Sequence, residues 1–441
     1  MPHAVYTFPP GFLWGTATAS HQVEGGNTNN NWYAWENQEN KILENHHAGD
    51  ACGWWNGRWK EDFDRAADGG QNAHRLSIEW SRVQPAPDRW DEQALDHYRE
   101  FLRGLVHRGI TPMVSLHHFT DPLWLTEMGG WENDQAPVYF EKFVRKTVEA
   151  IREYVHSWIT INEPNVYVYG GYLGGGFPPG KNDLKAAFQV LANMLRGHAA
   201  AYHTIHVQQP DALVGVAPNY RSMAPARSFF ALDRLVARQL SASYNDAFPR
   251  AMLDGQLRFA FRSQNIPEAV GTQDFIGVNY YTRDLVEFVP NPGALFSRRY
   301  FPPKAELSET GFLANVPQGF FEALRWASQF GKPIYVTENG VEDSSDSLRP
   351  RYLLEHLHQL WHALNYNWDI RGYFHWTLVD NFEWERGWTQ RFGLWELNTE
   401  TQQRTPRPSA QLYAEICKGG AITPDLVNQY APQSFSKLYP V

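Results

Sequence analysis

Two glutamates stand in matching positions in this sequence. Glu163 follows the apolar run Trp158–Ile161 through Asn162, and Glu338 follows the run Ile334–Thr337 directly. Two carboxyls brought into one pocket suit the cleavage of a glycosidic bond. One must be a protonated acid that hands its proton to the leaving oxygen, and the other an ionised nucleophile or base. Their surroundings must therefore push the two pKa values apart. Arg75, at the end of another such run, is a cation able to hold one of them ionised. A lone glutamate at a strand end reads as a solvated salt-bridge partner. Two of them, in segments carrying Asn, Tyr, His and Trp, read as a reaction centre.

Such a pair needs a frame, and the sequence repeats one pattern along its length. Short apolar or β-branched runs predict strands at Phe12–Ala17, Ala73–Ile78, Thr111–Leu116, Trp158–Ile161, Leu213–Ala217, Phe275–Tyr280, Ile334–Thr337 and Gly372–Trp376. Helical periodicity fills most of the gaps, over Asp91–His107, Val138–Tyr154, Leu184–Gln208, Phe229–Phe248, Pro317–Phe330 and Arg351–Asn365. Strands alternating with helices imply a parallel sheet with right-handed crossovers, and eight of them close a (β/α)8 TIM barrel. An open doubly wound sheet is the competitor, but no Gly-x-Gly-x-x-Gly opens a helix after the first run. The expectation is one barrel over residues 1–441, a length within the range such barrels reach. Chemistry then belongs after the C-terminal ends of the strands. There the sequence places Ser20–Gly25, His117-His118-Phe119, Asn162-Glu163-Pro164, Tyr281, Glu338-Asn339-Gly340 and Asp380–Trp384. Runs four and seven, which carry the two glutamates, face one another across a barrel mouth.

Composition narrows the partners. The net charge of −9 supplies no basic face for nucleic acid. Cys52 and Cys417 read as free thiols and exclude a disulfide scaffold. His117 and His118 are adjacent, but neighbours in an extended segment point to opposite faces, so they do not share one ion. No metal and no cofactor are expected. The first residues carry neither a basic nor an apolar leader segment, and no stretch reaches the length of a membrane span, so the expected location is the cytoplasm. Trp, Tyr and Phe together make up 15% of the chain, which suits either a large aromatic core or a cleft lined with flat faces for a sugar.

Six motifs, taken in order, resemble glycoside hydrolase family one, the β-glucosidase family, over nearly the whole chain. They are Phe12–Gly25, Arg75–Arg82, Thr160–Pro164, Phe275–Tyr281, Val336–Gly340 and Trp376–Trp384. The resemblance implies a retaining exo-β-glycosidase, acting on β-glucosides and also on β-galactosides and β-fucosides. Glu163 would be the acid/base and Glu338 the nucleophile, about 5–5.5 Å apart. Asn162 would hold the sugar 2-hydroxyl, Tyr281 the nucleophile with Arg75 as its electrostatic partner, and Asn279 the acid/base side. Gln22, His118, Glu383 and Trp384 would grip hydroxyls, Trp376 would floor the sugar ring and Phe392 would line the wall near its 6-position. Substrates would be small β-glycosides or short oligosaccharides, with transglycosylation as a side reaction; a homo-oligomer stays open. Two alternatives are a 6-phospho-β-glycosidase, which Glu383 opposes by charge, and a silent sugar-binding barrel, which the two retained glutamates oppose. The leaving-group side departs from the family. Asn165 stands where many relatives carry a platform Trp, and Asn31–Glu36 lacks the usual Trp-Asp start. Tyr167, Tyr169 and Tyr172 either replace that platform or pack inside. Trp131, Trp326 and the segment Arg283–Gly311 either shape an outer subsite or belong to core and surface.

Overall fold

The computed structural model describes residues 4–291 and 294–440. Met1, Pro2 and His3 of the N-terminal reading, and Pro292 and Gly293 of the segment Arg283–Gly311, lie outside the described residues. The eight expected runs form eight strands: β1 (Leu13–Ala17), β2 (Ala73–Ser77), β3 (Thr111–Ser115), β4 (Ser157–Asn162), β5 (Leu213–Ala217), β6 (Phe275–Phe288), β7 (Ile334–Asn339) and β8 (Ile370–His375). Each pairs in parallel with the next, β8 pairs with β1, and the ring is closed. This is a (β/α)8 barrel, with helices packed between the strands. The strands are buried on both faces, as a parallel sheet under helices requires.

The helices follow their apolar periodicity. Glu92–Val106 buries Leu95, Tyr98, Leu102 and Leu105 on one face, and the Asp91 side chain caps its start by accepting from the Ala94 N–H at 3.0 Å. The predicted helix Phe229–Phe248 forms as one helical run with a π-turn inside it. It runs over Ala231–Ser241, widens into a π-turn at Ala242–Asp246 and resumes over Ala247–Asp254. Two further helices are Trp59–Asp68, between β1 and β2, and Pro408–Gly419, which follows β8. Among the described residues no helix is long and apolar enough to cross a membrane.

One strand outgrows its expectation. β6 continues past Tyr280 to Phe288, beyond the barrel rim. There it pairs in parallel with an added strand, Asn219–Pro225, and antiparallel with Ser297–Tyr300. Its burial alternates residue by residue over this stretch, the pattern of a strand with one covered face. The segment Arg283–Gly311 therefore begins as part of a small sheet standing above the leaving end of the barrel.

Candidate active site

Strand geometry decides which side chains enter the barrel mouth. Asn279 and Tyr281 lie two apart on β6 and share a face, while Tyr280 between them bonds the Val316 carbonyl on the outside. Asn162 breaks that rule. Thr160, two residues earlier, contacts His198 on an outer helix, yet Asn162 meets Arg75 inside. A register shift between Ile159 and Asn162 turns the strand end inward, as irregular pairing beside active sites does. A second shift, at Val278/Asn279, sets Asn279 opposite Glu338 on β7. Gly340 then leaves β7 where a side chain could not, since a Cβ there would meet the Trp376 carbonyl oxygen at 2.0 Å.

The two glutamates sit in one small cavity of ≈ 180 Å³, with His118, Tyr281, Trp376, Glu383, Trp384 and Phe392 also on its walls. Arg75, Asn162, Asn279 and Gln22 are fully buried and act from behind the lining. Arg75 Nη1 donates to Glu338 Oε1 at 2.7 Å, and Tyr281 Oη donates to Glu338 Oε2 at 2.7 Å. Arg75 also bonds the Asn162 side-chain oxygen and the Thr337 carbonyl, which ties β2, β4 and β7 together. Among the described residues no cation is in contact with Glu163. Its Oε1 accepts from the side-chain amides of Asn279 and Asn219, each at 2.9 Å. Glu163 itself holds a left-handed backbone with φ of +43°, a conformation costly outside glycine and often found at functional sites.

These surroundings separate the two acids. Burial and the nearby charge of Glu338 push Glu163 up to about 8. Glu338 is also raised by burial, but the Arg75 guanidinium and the Tyr281 hydroxyl pull it back. Glu338 is therefore the member of the pair that ionises first.

The remaining polar groups form a bonded network around the same cavity. Asn162 Oδ1 accepts from Arg75 and Asn279, which fixes its amide so that Nδ2 faces His118 Nε2 at 3.0 Å. Burial, with Arg75 and His117 nearby, holds His118 well below its usual pKa, which favours the neutral ring, and an Nε2 that accepts from the Asn162 amide leaves the proton on Nδ1. That Nδ1 has no partner among the described residues, and neither does the carbonyl oxygen of Gln22. Gln22 Nε2 donates to the Phe382 carbonyl at 2.7 Å and reaches Glu383 at 3.3 Å. Burial and the neighbouring Glu385 and Glu338 raise Glu383 well above the usual carboxyl range. His118 also lies between two indoles, nearly parallel to Trp376 and Trp384 at 6.0 and 5.9 Å.

Other expected residues go elsewhere. His117 is bonded to Asp121 at 3.0 Å and sits beneath the site. Tyr167 donates to Asp121 at 2.6 Å and Tyr172 is buried, so neither offers a platform. Trp131 is fully buried and donates to Asp121, while Trp326 is 7% exposed and donates to Asp246; both belong to the core and not to an outer subsite. Tyr169 alone of the three tyrosines is partly exposed, packed against Tyr244 and Phe259. Both cysteines are free and buried.

Sequence reasoning misses Asn219, which follows β5. Asn165 holds it in place. The Asn165 amide donates to the Asn219 carbonyl at 2.7 Å and accepts from the Asn219 N–H at 3.2 Å. Tyr244 Oη donates to the Asn219 side-chain oxygen at 3.1 Å, which aims its amide at Glu163. An Asn directly after an apolar run and a proline was the only signal, and it is a weak one.

Comparison with known proteins agrees with this geometry. The model of glycosyl hydrolase family 1 matches residues 4–421. Beta-glucosidase A of Thermotoga maritima is 32% identical, over 95% of this chain and 99% of its own length. A beta-galactosidase of Pyrococcus woesei is 31% identical, over 94% of this chain and 98% of its own. Among solved structures, a beta-glycosidase from Pyrococcus horikoshii is 38% identical and superimposes with a TM-score of 0.90 over 98% of each chain.

Proposed function

Because the chain belongs to glycosyl hydrolase family 1, we propose that this glycoside hydrolase is a retaining exo-β-glycosidase. Residues 1–441 act as one catalytic barrel, with Glu338 as nucleophile and Glu163 as acid/base. The observation that carries the assignment is the unequal company of the two acids: a guanidinium and a phenol on Glu338, and only amides on Glu163.

The reaction follows from that difference. Glu338, ionised, attacks the anomeric carbon as the bond to the leaving oxygen breaks. Glu163 gives its proton to that oxygen. Once Glu338 is esterified its charge is gone, and of the two causes that raised Glu163 only burial remains. Glu163 then serves as the base that takes a proton from water as the water attacks and frees Glu338. Another hydroxyl in place of that water gives transglycosylation. Asn162, held by Arg75, faces the 2-hydroxyl. His118 Nδ1 and the Gln22 carbonyl offer one donor and one acceptor to further hydroxyls, Trp376 and Trp384 supply flat faces, and Phe392 closes the wall. Asn279 and Tyr281 steady the two acids.

Glu383 and Glu385 both line the cavity, and their carboxyls suit hydrogen bonds to the hydroxyls of a neutral sugar such as glucose, galactose or fucose. Substrates are small β-glycosides or short oligosaccharides. The two buried, unpaired thiols support a reducing, cytoplasmic setting.

The test is the anomer released from p-nitrophenyl β-glucoside, followed by NMR as it forms, in wild type and in Glu338→Gln. The expected first product is the β-anomer, and the variant should lose about 10⁴-fold or more in kcat. An α-anomer first, or a variant that keeps its activity, overturns the assignment.

A further inference from the structure

A separate cavity, of ≈ 500 Å³, shares no lining residue with the catalytic one. His21 lines it, and the His21 ring lies parallel to Trp384 of the catalytic wall at 5.9 Å. Its floor includes His21, Glu36 and Ala48, all buried, and its rim Asn37, His47 and Asp50, all exposed. Two crossing segments build it. Gly25 lets them meet, since a Cβ there would lie 2.2 Å from the Asp50 carbonyl oxygen, and the Gly26 N–H donates to the Gly49 carbonyl at 2.8 Å. Glu36 ends the short helix Asn31–Glu36, the segment that departs from the family pattern. Its side chain is 3% exposed, and its Oε2 accepts from the Ala48 N–H at 3.0 Å.

The polar groups of the floor select the ligand. The Asn30 side-chain oxygen accepts from the Tyr33 N–H at 2.8 Å, which turns its amide toward His21 Nδ1 at 3.1 Å. His21 Nδ1 is thus the acceptor, and Nε2 carries the proton. That Nε2 is buried and has no hydrogen-bond partner among the described residues. It stands 3.8 Å from Glu36 Oε2, while His47 Nδ1 stands 3.9 Å from Glu36 Oε1. Both separations exceed a hydrogen bond, and a hydroxyl bonded to both ends at ordinary lengths fits each span. At His21 a ligand must bring an acceptor, and at Glu36 a donor. An ammonium has no acceptor and a carboxylate has no donor, whereas a hydroxyl has both. A metal ion fits poorly, because a protonated Nε2 does not ligate and no three ligating groups converge among the described residues. Two such spans, one on each oxygen of a single carboxylate, match two hydroxyls on neighbouring carbons.

We propose that this cavity is a second binding site, apart from the catalytic one, for a neutral sugar that sets two vicinal hydroxyls against the Glu36 carboxylate. The test is NMR of ¹⁵N-labelled imidazoles during a titration with D-glucose. His21 and His47 report on this cavity, and His118 reports on the catalytic one. His21 and His47 are expected to shift together and to saturate at a midpoint of their own. Glu36→Gln removes the charge to which the diol donates. It should raise that midpoint about 10-fold or more and leave the His118 midpoint unchanged. His47→Ala changes a side chain that is 51% exposed, so the fold is not at stake. It should raise the midpoint read at His21 by a few-fold. Should Glu36→Gln fail to fold, His47→Ala decides alone.

A His21 that shows no saturable shift below about 100 mM glucose overturns the assignment, for the cavity then holds water only. So does a midpoint that either folded variant leaves in place. A His21 shift that follows the His118 midpoint overturns it as well, because His21 then senses the catalytic sugar through Trp384. The glycosidase reading depends on none of these results.

Discussion

Glu163 and Glu338 belong to equivalent places in the barrel, at the ends of β4 and β7, and both are buried in the same cavity. Their neighbours differ. Glu338 touches a fixed cation and a hydroxyl donor, whereas Glu163 touches two neutral amides. The fold brings the two acids together, but it does not say which is which. A buried carboxyl with a guanidinium in contact stays ionised more readily than one without, so in the proposed reaction Arg75, and not the strands, allots the roles. The charge of Glu338 then adds to burial in favouring the protonated form of Glu163.

The comparison can be broken most severely at its cation. Arg75→Met takes the guanidinium from Glu338 and leaves a buried acid without its partner. Loss of the positive charge raises the pKa of Glu338, so the acid limb of kcat/KM should move to higher pH. The loss in kcat/KM should be about 10²–10³-fold, with a stability cost of about 3–5 kcal/mol for a broken buried pair. Steady-state kinetics across pH and a denaturant melt check both. Tyr281→Phe removes the second support and keeps the ring. A hydrogen bond to a charged group is worth about 1.5–3 kcal/mol, so kcat/KM should fall by roughly 10- to 100-fold, with the acid limb shifted the same way by a smaller amount. The mildest change lies on the other acid. Asn219→Ala removes one of two amide donors to Glu163. Those donors favour its ionised form, so their loss raises its pKa, and the basic limb of kcat/KM should move up from near 8 with only a few-fold change in rate. A basic limb that stays put in Asn219→Ala would show that some other group sets it.

Much of this was readable before any coordinates. The eight strand runs are short, apolar and followed at once by polar groups, so their ends and the two glutamates stand out together. The family resemblance then supplied roles that residue types alone leave open. What stayed hidden is non-local. The extension of β6 through Arg283, Asp284 and Glu287 carries too much charge to read as a strand, and it becomes one because Asn219–Pro225 and Ser297–Tyr300 pair with it. Asn219 escaped because one asparagine after β5 means little until Asn165, Tyr244 and Glu163 surround it. The reverse holds for Trp131 and Tyr167, whose aromatic character suggested a binding surface. Each bonds Asp121 inside the protein.

The account stands or falls on the dependence of Glu163 on Glu338. The most direct measurement is a titration by NMR of ¹³C-labelled glutamate carboxyls in wild type and in Glu338→Gln. The account predicts that Glu163 titrates at about 8 in the wild type, above Glu338, and that it falls once the neighbouring charge is removed. A Glu163 that titrates at the same pH in both proteins, or a Glu338 that titrates above it, would contradict the account.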